Sequence, residues 1–180
     1  WDNDIRRMYP FMGNQKFIEE RVTESLGLLY DNHFPFKQFE TARNVRHSAI
    51  HERLAENGAC FGQAAGWERA NWFAPKGVEA KYEYSFGKQN WFDYSAAEHT
   101  ALRENVALID QSSFSKYLVQ GKDACHHLQR ISSANVDVEP GKVVYTHWLN
   151  ERGGIESDLT VTRLDENQYW IVSGAALTIK

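Results

Sequence analysis

The sequence predicts an α+β fold, antiparallel sheets with flanking helices. Three observations carry it: a period-two meander towards the C-terminal end, helical periodicities set apart from it, and glycine-rich turns in between. The meander is "KVVYTHWLN", "GIESDLTVTRL" and "NQYWIVSG", with tight turns at Arg152–Gly154 and Asp165–Asn167. On its middle strand Ile155, Ser157, Leu159 and Val161 share one face, and Glu156, Asp158, Thr160 and Thr162 the other. That alternation leaves a carboxylate, Asp158, on the face opposite Leu159 and Val161.

Upstream elements follow the same logic. "QKFIEERVTESLGLLYD" places Phe17, Ile18, Val22, Leu26 and Leu29 at helical spacing. "HFPFKQFETARNVRH" reads as an extended crossing broken by Pro35, and Ser48 as the cap of a short helix that Gly58 ends. "VEAKYEYSF" alternates strictly and predicts a half-buried strand. Ser95-x-x-Glu98 reads as a capping box opening "SAAEHTALRENVAL". "ALIDQS" and "KYLVQG" read as strands, and "GKDACHHLQRIS" as a helix with Ala124, Leu128 and Ile131 on one side.

Composition narrows the function classes. A chain of 180 residues can bury one good core or two small ones. Its net charge of −4 argues against nucleic acid, because phosphate binding needs clustered excess cations. Arg43, Arg46 and Arg53 are interrupted by Glu52 and Glu56 and read as a mixed surface. No apolar run reaches membrane-span length and no signal peptide opens the chain. Cys60 and Cys125 form no CxxC, which favours reduced thiols. The chain starts without Met and stops at "SGAALTIK", where a helix should begin, so it reads as part of something longer.

The chemical motifs are few. GxGxxG, GxxxxGK[ST] and GxSxG are all absent. His47 and His51 could share a helix face, but HExxH is not matched, so no metal is expected. "GWERANWF" reads as aromatic core in preference to a ligand wall. From pattern alone, Asp158 is more readily a solvated strand residue than a site.

Two longer stretches change the weight on Asp158. "ALIDQSSFSKYLVQGKDACHHLQRI" with "YTHWLNERGGIESDLTVTRLDENQYWIVSGAA" resembles the amino-terminal part of the glycine-cleavage aminomethyltransferase, the T-protein, from about Tyr94 onward. The matching pattern is Asp-x-Ser, V-x-G-x-D-A, then Y-T-x-x-L-N-x-x-G-G-I-x-x-D-L. "RVTESLGLLYDNHFPFKQFETARNVRHSAIHERLAENGACFGQAAGWERANWF" resembles the region of dimethylglycine and sarcosine dehydrogenases that joins their FAD domain to a folate domain.

The resemblance implies a division at residues 1–90, the linking region, and 91–180, the start of the folate domain. It also implies a parent flavoenzyme that oxidises an N-methylated glycine and passes the one-carbon unit to tetrahydrofolate. Its partners would be that amine, folate and the FAD domain of the same chain. The compartment would be a bacterial cytoplasm or a mitochondrial matrix, and the piece by itself would be inactive. By the same resemblance Asp158 is the folate-site carboxylate, and Tyr145, Val172, Phe114 and Ser173 line the pterin pocket, with Gly174 close by. A stand-alone aminomethyltransferase and a non-catalytic folate-fold module are the rival readings.

Overall fold

The computed structural model describes residues 9–34 and 36–174. Pro35, both chain ends and "AALTIK" lie outside the described residues. The backbone divides into two compact units, Trp1–Ser112 and Ser113–Lys180. Each mixes helix with antiparallel sheet, as the α+β pattern requires.

The first unit opens with a 3-10 turn and helix α1, Gln15–Leu28. Asn14 caps α1, its side chain accepting from the N–H groups of Lys16 and Phe17. The Arg21 guanidinium donates to the Thr41 carbonyl at 2.7 Å, and the Glu24 carboxylate accepts the N–H groups of Glu40 and Thr41. These bonds tie the following crossing to α1. That crossing is not extended as expected, because Ala42 and Asn44 take left-handed φ values of 48° and 63° and turn it.

Helix α2, His51–Glu56, ends at Gly58, whose φ of +84° makes it the natural stop. Ser48 does not cap α2 through its side chain. Ile50 takes the cap position, and the Ser48 carbonyl accepts from the His51 N–H.

Strands β1, Ala59–Ala64, and β2, Trp67–Phe73, form a hairpin, where the sequence predicts only that "GWERANWF" is aromatic core. Its turn residues Ala65 and Gly66 both have positive φ, the requirement of a two-residue hairpin turn. Trp72 is buried with Cys60 and Ala74, so the aromatic run is indeed core. Glu68 is buried on β2 and paired with Arg43, whose guanidinium also donates to the Phe39 and Phe61 carbonyls. Burial pushes the Glu68 carboxyl up, but hydrogen bonds from Arg43 and the Asn44 N–H more than offset this and hold it below the usual range. Arg46 lies over the rings of Tyr9, Phe11 and Trp67. Arg43 and Arg46 are therefore packing elements, not the mixed surface expected.

Two expected strands do not form. Residues 78–86 stay irregular although Tyr82 and Tyr84 are half-buried in alternation. Their hydroxyls bond Asn71 and Gln38, while Glu83 and Ser85 bond the side chains of Asn90 and Gln89. Alternation records an extended chain, and side chains supply the bonds a ladder would have made. "ALIDQS" is likewise irregular, with Leu108 and Ile109 exposed. The capping box fails too. Helix α3 starts earlier, at Phe92–Glu104, so Ser95 lies inside it and Glu98 accepts the Phe73 N–H at 2.8 Å.

The second unit is the expected meander plus one strand and one helix. It comprises β3 (Ser115–Gln120), α4 (Ala124–Ile131), β4 (Val143–Leu149), β5 (Ile155–Asp165) and β6 (Gln168–Ser173). The sheet order is β3-β6-β5-β4, antiparallel throughout. Ala124 and Leu128 of α4 pack with Val136, Leu159, Val161, Tyr169 and Ile171 to form its core. Thr146, almost wholly buried, accepts the Ala134 N–H at 3.0 Å and so fastens the segment after α4 to β4.

Candidate functional site

Position along β5 is set by the turn before it. Gly153 has φ +76°, and the Asn150 side chain accepts the N–H groups of Arg152 and Gly154 at 3.0 and 2.9 Å. The positive φ calls for glycine at Gly153, and a Cβ at Gly154 would stand 2.9 Å from Asn150 Nδ2, pressing on the amide that holds the turn. The "NERGG" run thereby delivers β5 into one register against β4.

In that register His147 opposes Asp158 and Tyr145 opposes Thr160. Across β6, Val172 opposes Thr160, and Lys116 of β3 opposes Val172. Residues directly opposite one another share a face. Asp158, His147, Tyr145, Thr160, Val172 and Lys116 therefore stand on one side of the sheet, away from α4. Asp158 is exposed, and its Oδ2 accepts a long hydrogen bond from Tyr145 Oη at 3.5 Å. The Tyr145 ring is 60% exposed and meets the His147 ring edge-on at 5.4 Å.

Ser173 faces the other way. It opposes Leu159 and is buried, its Oγ 2.8 Å from Ser157 Oγ and bonded to the Asp158 backbone carbonyl at 3.2 Å. It lies behind Asp158 and steadies the strand that carries the carboxylate. Phe114, half-buried, immediately precedes β3, and the Gly174 carbonyl accepts from Ser115 Oγ at 3.4 Å. The structure thus brings Asp158, Tyr145 and Val172 to one face and puts Ser173 on the reverse.

The reverse face also has a cavity of about 340 Å³, lined by Tyr117, Val119, Trp148, Leu159, Ile171 and Ser173. Asp158 does not line it. His147 escaped the sequence reading, although "YTH" alternation already places it beside Tyr145.

No group of three or more metal-ligating side chains converges among the described residues. His47 and His51 stack face to face at 3.9 Å, and His47 Nε2 lies 3.2 Å from Asn44 Oδ1. The open face offers a carboxylate that can accept N–H donors and an exposed aromatic ring with a valine for apolar contact.

Comparisons with known proteins agree with this architecture. Residues 50–180 match the GCVT N-terminal domain, and residues 1–48 the FAD dependent oxidoreductase central domain. The 4-methylaminobutanoate oxidase (formaldehyde-forming) of Paenarthrobacter nicotinovorans is 47% identical over 94% of this chain and 21% of its own length. Human mitochondrial sarcosine dehydrogenase is 36% identical over 89% of this chain and 20% of its own. The crystal structure of the glycine cleavage system aminomethyltransferase T from Bartonella henselae superposes with a TM-score of 0.59 at 26% identity. It covers 73% of this chain and 32% of that one. The chain spans about a fifth of the length of the curated relatives it matches. With a sequence like the FAD dependent oxidoreductase central domain leading into a T-protein-type sheet, the chain belongs to the GCVT N-terminal domain family and is similar to a segment of the sarcosine and dimethylglycine dehydrogenases.

Proposed function

We propose that this chain is part of a flavoenzyme that oxidatively demethylates dimethylglycine or sarcosine and passes the one-carbon unit to tetrahydrofolate, giving 5,10-methylenetetrahydrofolate. The supporting observation is the Asp158 carboxylate, bonded by Tyr145 Oη on the exposed face of a sheet shared with an aminomethyltransferase. Bound folate would supply the nucleophilic nitrogens that take up the carbon. Asp158 orients those nitrogens, opposes the positive charge of the incoming iminium and accepts a proton. Tyr145 holds the carboxylate and presents its ring to the pterin, with Val172 beside it. Ser173 works from behind, through the backbone of Asp158. FAD serves the preceding oxidation. No dinucleotide glycine loop occurs in these 180 residues, so no flavin step is assigned to them.

A second reading drops the folate. The relative from Paenarthrobacter nicotinovorans is described as formaldehyde-forming, and its substrate is an N-methyl amino acid other than glycine. Under that reading the one-carbon unit leaves as formaldehyde. One assay separates the two, using the complete polypeptide that carries this chain. It is given dimethylglycine, sarcosine or 4-methylaminobutanoate with an artificial electron acceptor, and formaldehyde is measured with and without tetrahydrofolate. Suppression of formaldehyde by tetrahydrofolate, with a glycine-derived amine as the preferred substrate, is the expected result. Unchanged formaldehyde release favours the second reading, and preference for 4-methylaminobutanoate replaces the substrate.

A further inference from the structure

We propose that His147 is a positioning and proton-relay residue for Asp158 in one-carbon transfer, an inference that rests on the folate reading above. Its place in the ladder sets it directly opposite Asp158. The backbone of His147 turns outward to Ser133: its carbonyl accepts the Ser133 N–H at 2.9 Å, and its N–H donates to Ser133 Oγ at 3.3 Å. It therefore faces Asp158 as a non-hydrogen-bonded antiparallel pair, the kind whose Cα atoms approach to about 4.5 Å and whose side chains lie closest. Tyr145, two residues earlier, reaches the same carboxylate with its hydroxyl and packs against the imidazole with its ring. Asp158 thus has a phenol on one side and an imidazole directly across the ladder.

The charged and titratable surroundings of His147 are few. Asp158 and Glu156 come from β5, and Glu156 is engaged by Asn150 Nδ2 at 2.9 Å. Tyr145 comes from β4 itself, and Ser132–Ala134, bridged to β4, brings no charge. Lys116 lies at the far side of the sheet, on β3.

The chemistry needs such a pair. Transfer forms bonds from the methylene carbon to folate N5 and N10 and breaks its bonds to the amine nitrogen. The two protons displaced from N5 and N10 end on the departing amine, which leaves as its ammonium, so charge and atoms balance. Something must take protons from one nitrogen and deliver them to another while the carbon moves. Imidazole can accept a proton at one ring nitrogen and give one up at the other, which suits it to relay protons to the carboxylate opposite it on the ladder.

The test compares the complete polypeptide with His147→Gln and His147→Ala, scoring methylenetetrahydrofolate formed per amine oxidised across pH. A drop in this ratio of about a hundredfold or more is expected in both variants, with the apparent KM for tetrahydrofolate little changed. The pH dependence of the wild-type ratio should flatten in His147→Gln, and added imidazole should partly restore His147→Ala. Wild-type ratios in both variants at every pH overturn the proposal. A drop that imidazole does not rescue, with an unaltered pH profile, also overturns it and leaves His147 a structural residue. If wild type itself shows no tetrahydrofolate-dependent product, the folate reading fails instead, and that outcome is seen before any variant is assayed.

Discussion

The two faces of the four-stranded sheet are built from alternate residues of the same strands, yet one is packed and the other open. On β5, Leu159 and Val161 are buried against α4, while Asp158 between strand end and core is open. On β6, Tyr169 and Ile171 are buried and Val172 turns outward. On β4 the buried Thr146 sits between Tyr145 and His147 of the open face. A single-residue change of register would exchange these faces, so the packed side fixes where the chemical side points. On the function proposed above, stability and chemistry are separated by one position in sequence, and substitutions on the two faces should be separable as well.

The largest stability effect is expected on the packed face. Ile171→Ala removes a fully buried side chain and should cost about 3–4 kcal/mol, read as a lower midpoint in urea unfolding. Thr146→Val keeps the shape and removes the acceptor of the Ala134 N–H, for about 1–2 kcal/mol. The smallest effect belongs to the open face. Tyr145→Phe loses only a long, exposed hydrogen bond and should change stability by less than about 0.5 kcal/mol. Its transfer of the one-carbon unit should nonetheless weaken. A large loss of stability in Tyr145→Phe would break the separation of faces, and an undisturbed Ile171→Ala would break it from the other side.

The sequence made the meander legible because one side of it is packed: wherever a strand face is buried, period-two alternation is enforced. The "NERGG" turn was equally readable, since positive φ at Gly153 and close approach at Gly154 select for glycine. The failures share a cause. Residues 78–86 alternate, but the Tyr82 and Tyr84 hydroxyls accept from the Asn71 side chain and the Gln38 backbone N–H, which no periodicity reports. Ser95 and Glu98 have capping-box spacing, yet Glu98 is recruited by the Phe73 N–H, a tertiary demand invisible locally. The β1–β2 hairpin was hidden because its turn uses Ala65, a residue with no preference for positive φ.

Of the candidate site, only Asp158 was placed by counting along its own strand. Tyr145, Val172 and Ser173 came with the resemblance, and the ladder register turns the first two to the face of Asp158 and Ser173, opposite Leu159, to the reverse. His147 lay in plain view of the same count, two residues from Tyr145.

The most direct measurement is the yield of methylenetetrahydrofolate per amine oxidised in the complete polypeptide, wild type against Asp158→Asn, alongside urea unfolding of both. The open-face account predicts an unchanged unfolding midpoint and a transfer yield lower by more than about a hundredfold. Equal yields in the two proteins, or unfolding that falls together with the yield, would contradict it.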